Sequence, residues 1–257
     1  APLMVAPIVA LPALVGAVGE IEHTGARGPR PLDIRRVGGR QIAAEALCTR
    51  LDHMIVYSSD TDLTPFDVGA YASSTTYLSG EAVRQTALTV LEQIRKVAAD
   101  MLKARPEDVH IEHATATANG KSVTYEAIAR HALYGHNQFQ IGAINSAISH
   151  VSPPPFAAHF AEVEVDTWTG AVQILRYVAA VDCGTAINPK LAEGQIEGAV
   201  ANGIGYAMME EMVFNEKGAC VNPSFRHYRI PTMRDMPKLT TILVPTWEPT
   251  GPFGAKS

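Results

Sequence analysis

Residues Asp182 to Glu211, DCGTAINPKLAEGQIEGAVANGIGYAMMEE, decide how the rest of the chain is read. The apolar run Tyr177 to Val181 ahead of them has strand character, so the chain passes from a strand through a turn into a long helix. Asn188-Pro189 marks the start, because proline disfavours helix at the residue before it and pre-sets its own backbone angle for a first helical turn. Gly194, Gly198, Gly203 and Gly205 fall inside that helix, each costing about 1 kcal/mol relative to alanine. Two readings follow. One is a buried helix packed closely on a sheet, which glycine spacing alone favours; the other adds a ligand at the glycine-lined end, where Gln195 offers a donor and an acceptor.

Upstream, Ala157 to Val165 and Ala171 to Val181 form a hairpin around Asp166-Thr167-Trp168-Thr169-Gly170. Phe160, Glu162 and Glu164 alternate with Ala161, Val163 and Val165, the pattern of a half-buried antiparallel strand. Downstream, Met212 to Phe214 is strand-like, Asn215 to Gly218 turns, SFRHYRIPT runs from Ser224 to Thr232, and Thr240 to Val244 is a last strand. Before the hairpin, Tyr134 to Pro155 reads as an irregular linker closed by Pro153-Pro154-Pro155. His131, His136 and His150 near it lack the spacing of a metal site.

In the first half, Ser79 to about Lys103 is a helix with Val83, Ala87, Val90, Leu91, Ile94 and Val97 on one face. Asp108 to Ala118 and Ser122 to Thr124 are strands joined at Asn119-Gly120, and Tyr125 to Leu133 is a short helix. Gln41 to Leu51 reads as helix and Met54 to Tyr57 as strand, after a loop from His23 to Arg40 carrying Arg27, Arg30, Arg35, Arg36 and Arg40. That arginine run is a solvated face or an interface to an acidic partner. Asp60, Asp62 and Asp67 lack the ligand alternation of an EF-hand, so a calcium loop is discounted. The polar small-residue run Ala70-Tyr71-Ala72-Ser73-Ser74-Thr75-Thr76 precedes the helix, and stands either as a serine-rich turn with an N-cap or as an anion cradle.

The bulk numbers narrow the classes. The 257 residues are 47% hydrophobic and 18% charged, with a mean hydropathy of +0.04, as in a globular chain. A net charge of -5 argues against nucleic acid. Cys48, Cys183 and Cys220 are too few and scattered for a disulfide framework, which suits a reducing, cytoplasmic setting. Residues 1–19 hold no charge, but Pro2, Pro7 and Pro12 and the lack of a basic start disfavour a signal or membrane helix. A buried extended segment, or an edge covered by another chain, is expected there.

In order and spacing, DTDLTPFDVGAYASSTTYLSGEAV, EVEVDTWTGAVQI, VDCGTAINPKLAEGQIEGAVANGIG, YRIPT and GPFGAKS resemble the molybdenum hydroxylases, the xanthine dehydrogenase and aldehyde oxidase family. The likeness runs from about Gln41 to the end and falls in the second half of that family's molybdopterin-binding region. It implies an α+β fold of two mixed α/β lobes, with long helices packed on mostly antiparallel sheets. Residues 1–40 would be an N-terminal extended segment and loop, 41–150 the first molybdopterin-binding lobe and 151–257 the second.

The resemblance also implies a molybdenum-pyranopterin cofactor, molybdopterin or its cytosine dinucleotide form. Its oxygen, derived from water, would pass to an electron-poor carbon of a purine or nicotinate-like heterocycle or of an aldehyde. Ala72, Ser73, Ser74 and Thr75 would contact the pterin and its phosphate, Gln195 would hydrogen-bond near it, and Lys256 would sit by the catalytic base. Two departures stand out. The family's glycine-glutamine-glycine element is replaced by GGRQIAAEAL, and the glutamate base of its GAKxVGE motif is expected beyond Ser257.

Such a chain would be a split subunit or a fragment, partnered by the other half of the molybdenum subunit and by iron-sulfur and FAD subunits. No cysteine cluster for iron-sulfur ligation is present. The competing reading is a non-catalytic assembly subunit that keeps the fold without the base. A dinucleotide-binding dehydrogenase is disfavoured, because Gly198, Gly203 and Gly205 fall inside a helix rather than in a strand-to-helix turn.

Overall fold

A computed structural model describes residues 4–5, 9–10, 34–56, 62 and 72–256. The chain forms two compact units, Ala1–Pro153 with Trp247–Ser257, and Pro154–Thr246. Their junction falls within the triple proline. The sequence expectation ran the second lobe from 151 to 257, whereas contacts place the closing stretch, from Trp247 on, with the first unit.

In the first unit, helix α1 spans Ile34–Ala46, starting well before the Gln41 read from sequence and taking in residues assigned to a loop. Burial explains the difference. Ile42, Ala43, Ala44, Ala46 and Leu47 are all nearly inaccessible, and that apolar burial offsets Gly38 and Gly39, at about 1 kcal/mol each. Arg40 donates from Nε to the Leu51 carbonyl at 2.7 Å; Arg27 and Arg30 lie outside the described residues. Leu51–His53 is a short 3-10 turn, and Met54 to Val56 has no strand partner, with Tyr57 outside the described residues. So the strand read over Met54 to Tyr57 is not found among the described residues.

Helix α2, Gly80–Leu102, is the spine of this unit and buries Val83, Ala87, Val90, Leu91, Ile94 and Val97, as its spacing predicts. It ends where Lys103 turns left-handed at φ 53°. The Asn119 amide donates to the Lys103 carbonyl at 3.1 Å, satisfying one orphan acceptor of the last turn. Three antiparallel strands follow, β3 (His110–Glu112), β4 (Thr115–Ala118) and β5 (Lys121–Thr124). The sequence reading had one strand from Asp108 to Ala118. The extra turn is at His113 and Ala114, with φ of 48° and 57°, a conformation carried here without the glycine or asparagine that signals it at Asn119-Gly120.

Helix α3, Tyr125–Tyr134, is capped by Thr124, whose hydroxyl accepts from Ala127 N. Beyond it, the stretch read as linker is tied down. Strands β6 (Gly142–Ala143) and β7 (Ser146–Ala147) pair antiparallel with β2 (Val9–Ala10) and β1 (Met4–Val5). The Gln93 amide both donates to and accepts from Gly142 at 3.0 Å, acting as a one-residue extension of the ladder. Among the described residues, the main apolar cluster of this unit includes Leu47, Val90, Ile94, Ile111, Ile128 and Ile141, with Ala82 and Ala147 forming a small one beside it.

The second unit is a three-stranded sheet, order β10-β9-β8, under one helix. β8 (Phe156–Val165) and β9 (Val172–Asp182) form the expected hairpin, turned by Asp166, whose carboxylate accepts from the Trp168 and Thr169 amides. β10 (Lys238–Leu243) runs parallel to β9. Helix α4, Pro189–Met208, begins at the proline as expected, with Asn188 Oδ1 accepting from Leu191 N at 3.1 Å. Its Ile196, Val200 and Ile204 pack on Ala179, with Tyr177, Leu239 and Leu243 around them.

The half-burial read for β8 is not observed. All ten of its residues are exposed, with Phe156 and Phe160 at 64% and 65%. Its alternation is intact; β8 lies at the sheet edge, beyond the strands whose side chains join the α4 core. Met212 to Phe214 forms only a single bridge, Phe214 to Cys220. The architecture is α+β, as the sequence implies.

Candidate cofactor-binding site

Ala72 and Ser73 both take left-handed backbone angles, φ 48° and 56°, and both are exposed. Such conformations cost non-glycine residues on the order of 1 kcal/mol or more and persist where surrounding structure holds them. The next residue reverses direction: Ser74, at φ -77°, caps a π-helical turn, Thr75–Ser79, that runs directly into α2. Single π turns recur at functional sites.

Ser74 is buried, at 7% exposure, and its hydroxyl has no hydrogen-bond partner among the described residues. Leaving a buried hydroxyl unpaired costs about 1–3 kcal/mol. The helix start beside it presents backbone N–H groups that lack intrahelical partners, at the positive end of the helix dipole. A hydroxyl and helix-start N–H groups together form a donor-rich corner, the chemical complement of an acceptor-rich, anionic group.

The closing segment docks on the same corner. Gly80, first residue of α2, is buried so closely that an added Cβ would lie 2.8 Å from Ile42 Cδ1 and 3.2 Å from Pro252 Cγ. At Gly251 an added Cβ would collide with the Ala255 carbonyl oxygen and lie 3.1 Å from the Tyr77 ring. Tyr77, on the π turn, reaches Thr250 Oγ1 at 2.6 Å and Ser149 Oγ at 3.0 Å. Thr250 in turn donates to Glu248 Oε1 at 2.5 Å. The Thr250 hydroxyl and amide hold the Glu248 carboxyl below the usual carboxylate range, with attraction from Lys256 adding to them. Phe253 is left-handed at φ 51°, and Lys256 is half-buried.

In the second unit, Gln195 is exposed on α4. Gly194, Gly198 and Gly203 have no heavy atom within 4 Å of an added Cβ, so close packing does not require glycine there. Gly205 differs: its Cβ would meet Glu210 Oε1 and stand 3.0 Å from Pro231 Cδ. The Tyr228 hydroxyl donates to Glu210 Oε2 at 2.7 Å, and the Glu210 and Met209 amides both donate to the Gly205 carbonyl. This lock closes the C-terminal end of α4. Sequence reading named YRIPT without seeing that its Tyr228 and Pro231 meet the helix end. Asp182 Oδ1, at the strand end, accepts from Gly184 N at 2.9 Å and Thr246 Oγ1 at 2.6 Å, fixing the turn before α4.

Residues 37–237 match the family profile described as molybdopterin cofactor-binding domain. The chain belongs to this family. It is 37% identical over 222 residues to the protein named "Probable hypoxanthine oxidase XdhD" of Escherichia coli K12, a match covering 84% of this chain and 23% of that one. It is 32% identical over 224 residues to the 6-hydroxypseudooxynicotine dehydrogenase complex subunit gamma of Paenarthrobacter nicotinovorans, covering 84% and 28%. The crystal structure of quinoline 2-oxidoreductase from Pseudomonas putida 86 superposes with a TM-score of 0.81 at 28% identity, covering 87% of this chain and 29% of that one. The chain therefore spans about a quarter of the length of these proteins.

The residues present fit the family's cofactor. A buried hydroxyl without a partner, two strained residues and a helix start converge in the Ala72 to Thr75 run of this molybdopterin-binding domain. Among the residues singled out from sequence, these and Lys256 lie in the first unit, and Gln195 lies in the second. Among the described residues no group of three or more histidine, cysteine or carboxylate side chains is arranged to hold a metal ion, and no helix is long and apolar enough to cross a membrane. Asp60 and Asp67 lie outside the described residues, and Asp62 is exposed. Cys48, Cys183 and Cys220 are half-buried and form no disulfide with one another.

Proposed function

We propose that this chain is the C-terminal molybdopterin-binding portion of a molybdenum hydroxylase subunit, acting within a cytoplasmic multi-subunit complex. The observation that carries the reading is the unpaired, buried Ser74 hydroxyl at a strained corner, in a chain matching the family over residues 37–237. Ser74 and Thr75, with the backbone amides of the Ala72 to Thr75 run, would hold the pterin's anionic group. Lys256 would offset its charge, and Gln195, a neutral donor and acceptor, would hydrogen-bond near it. When bound, the pyranopterin supplies molybdenum redox chemistry and oxygen transfer to an electron-poor carbon.

The residues of this chain bind and orient. Strain at Ala72 and Ser73 is held in advance by the fold, so ordering the cradle does not draw on binding energy. The relatives named for hypoxanthine, 6-hydroxypseudooxynicotine and quinoline favour a nitrogen heterocycle as substrate over a simple aldehyde. Iron-sulfur and FAD partner chains would take the electrons.

The test is metal and pterin analysis of the native complex purified through this chain. About one molybdenum per complex, with pterin fluorescence after oxidation, is the expected result. A small fraction of molybdenum with no pterin would overturn the reading in favour of an assembly subunit.

A further inference from the structure

Three hydroxyls meet where the closing segment docks, and their hydrogens can be counted. Thr250 donates to the Glu248 carboxylate, which only accepts. Tyr77, 2.6 Å from Thr250 Oγ1, must therefore donate to it. Ser149 then has one hydrogen for two acceptors, the Val151 carbonyl at 2.6 Å and the Tyr77 oxygen at 3.0 Å. The chain of donation is directional, from the π turn through Thr250 to Glu248, and it joins residues 173 positions apart.

Tyr77 stands three positions after Ser74 on the same tight turn. The docking is reinforced by close approach at two glycines, Gly80 beside Pro252 and Gly251 beside the Tyr77 ring and the Ala255 carbonyl, where an added Cβ at Gly251 would collide. Tyr77 itself is buried, at 3% exposure, so its ring cannot swing without moving the turn.

We propose that Tyr77 is a positioning residue that couples occupancy of the Ala72 to Thr75 cradle to the placement of the closing segment, Glu248 to Lys256. Filling the cradle gives Ser74 a partner and stiffens the π turn. A stiffened turn fixes the Tyr77 hydroxyl, and Thr250, Glu248 and Lys256 are fixed with it. The cofactor thereby orders the segment that carries Lys256 to it. The inference rests on the molybdopterin reading above, and goes further by naming the residue that transmits binding.

The test is hydrogen exchange read by mass spectrometry on the purified complex, loaded with cofactor and prepared from a pterin-deficient host. In the wild type, loading should slow exchange over residues 248–256 by about fivefold, the factor expected from one hydrogen bond of about 1 kcal/mol. Tyr77→Phe removes only the hydroxyl; it should keep its molybdenum and show less than about twofold slowing. Thr250→Val, which breaks the same link from the other side, should behave alike, and the double variant should be no worse than either single one. Equal slowing in wild type and Tyr77→Phe would overturn the coupling, as would no slowing in the loaded wild type, additive losses in the double variant, or loss of molybdenum from both single variants. Absence of molybdenum from the wild-type complex would instead defeat the molybdopterin reading, and the coupling with it.

Discussion

The two long helices of this chain are similar in length and unlike in support. α2 is buried along both its Val83-Val90-Ile94-Val97 face and its Ala82-Thr86 flank, under α1 and α3 and against the small strands. α4 buries Ile196, Val200, Ile204 and Gly205, on a sheet whose edge strand β8 is wholly exposed. The first unit encloses a large core but leaves Ile55 and Tyr134 exposed; the second has a small core and exposes Phe156, Phe160 and Trp168. Apolar periodicity says that a helix has a buried face; how completely it is covered depends on what the rest of the chain brings to it.

A cavity cut in each core should cost the two units different amounts of stability. Ile94→Ala should lower stability by about 4 kcal/mol in urea unfolding and Ile204→Ala by about 2 kcal/mol, since the more enclosed site collapses less readily. Equal losses would mean that the two cores are equivalent. Next in size is a pair of glycines on α4. Gly205→Ala meets Glu210 and Pro231 and should cost about 2 kcal/mol, whereas Gly198→Ala has open space and should gain about 1 kcal/mol from helix propensity. Destabilisation by both would put a hidden neighbour at Gly198.

Ser74→Ala should act in opposite directions on stability and binding. Removing an unpaired buried hydroxyl should stabilise the unloaded protein by about 1 kcal/mol, while molybdenum retained by the complex falls. A stable variant with undiminished molybdenum would make Ser74 a packing residue only.

The smallest effect concerns pH. The Glu248 carboxyl is held low by Thr250, so the folded state binds its proton less readily than the unfolded state. The stabilisation is present above the unfolded carboxylate range, and is lost as pH falls through the lowered folded value. The stability gap between Glu248→Gln and wild type should therefore narrow as pH falls from 7 through and below the usual glutamate range; a gap independent of pH would show that the carboxylate charge contributes nothing.

How much of this was legible beforehand varied with locality. The start of α4 followed from Asn188-Pro189, the turn at Asn119-Gly120 from its residue types, and the course of α2 from its apolar spacing. Ala72 to Thr75 reads as cradle or turn from its residue types, but its left-handed pair and the unpaired Ser74 arise only in the folded backbone. The early start of α1 was missed because burial outweighed Gly38 and Gly39, and the turn at His113-Ala114 because neither residue announces it.

Backbone habits and the family likeness can be read from residue order alone, since both depend on residue types within a few positions or on motifs in order. Tertiary packing decided which glycines are closely approached, Gly80, Gly205 and above all Gly251, rather than Gly198 or Gly203. It also decided that β8 stays open and that Tyr77 meets Thr250. The physical reason is range. A dihedral preference is settled by a residue and its neighbours, whereas a contact across 173 positions exists only once the intervening chain has folded and brought its ends to one place.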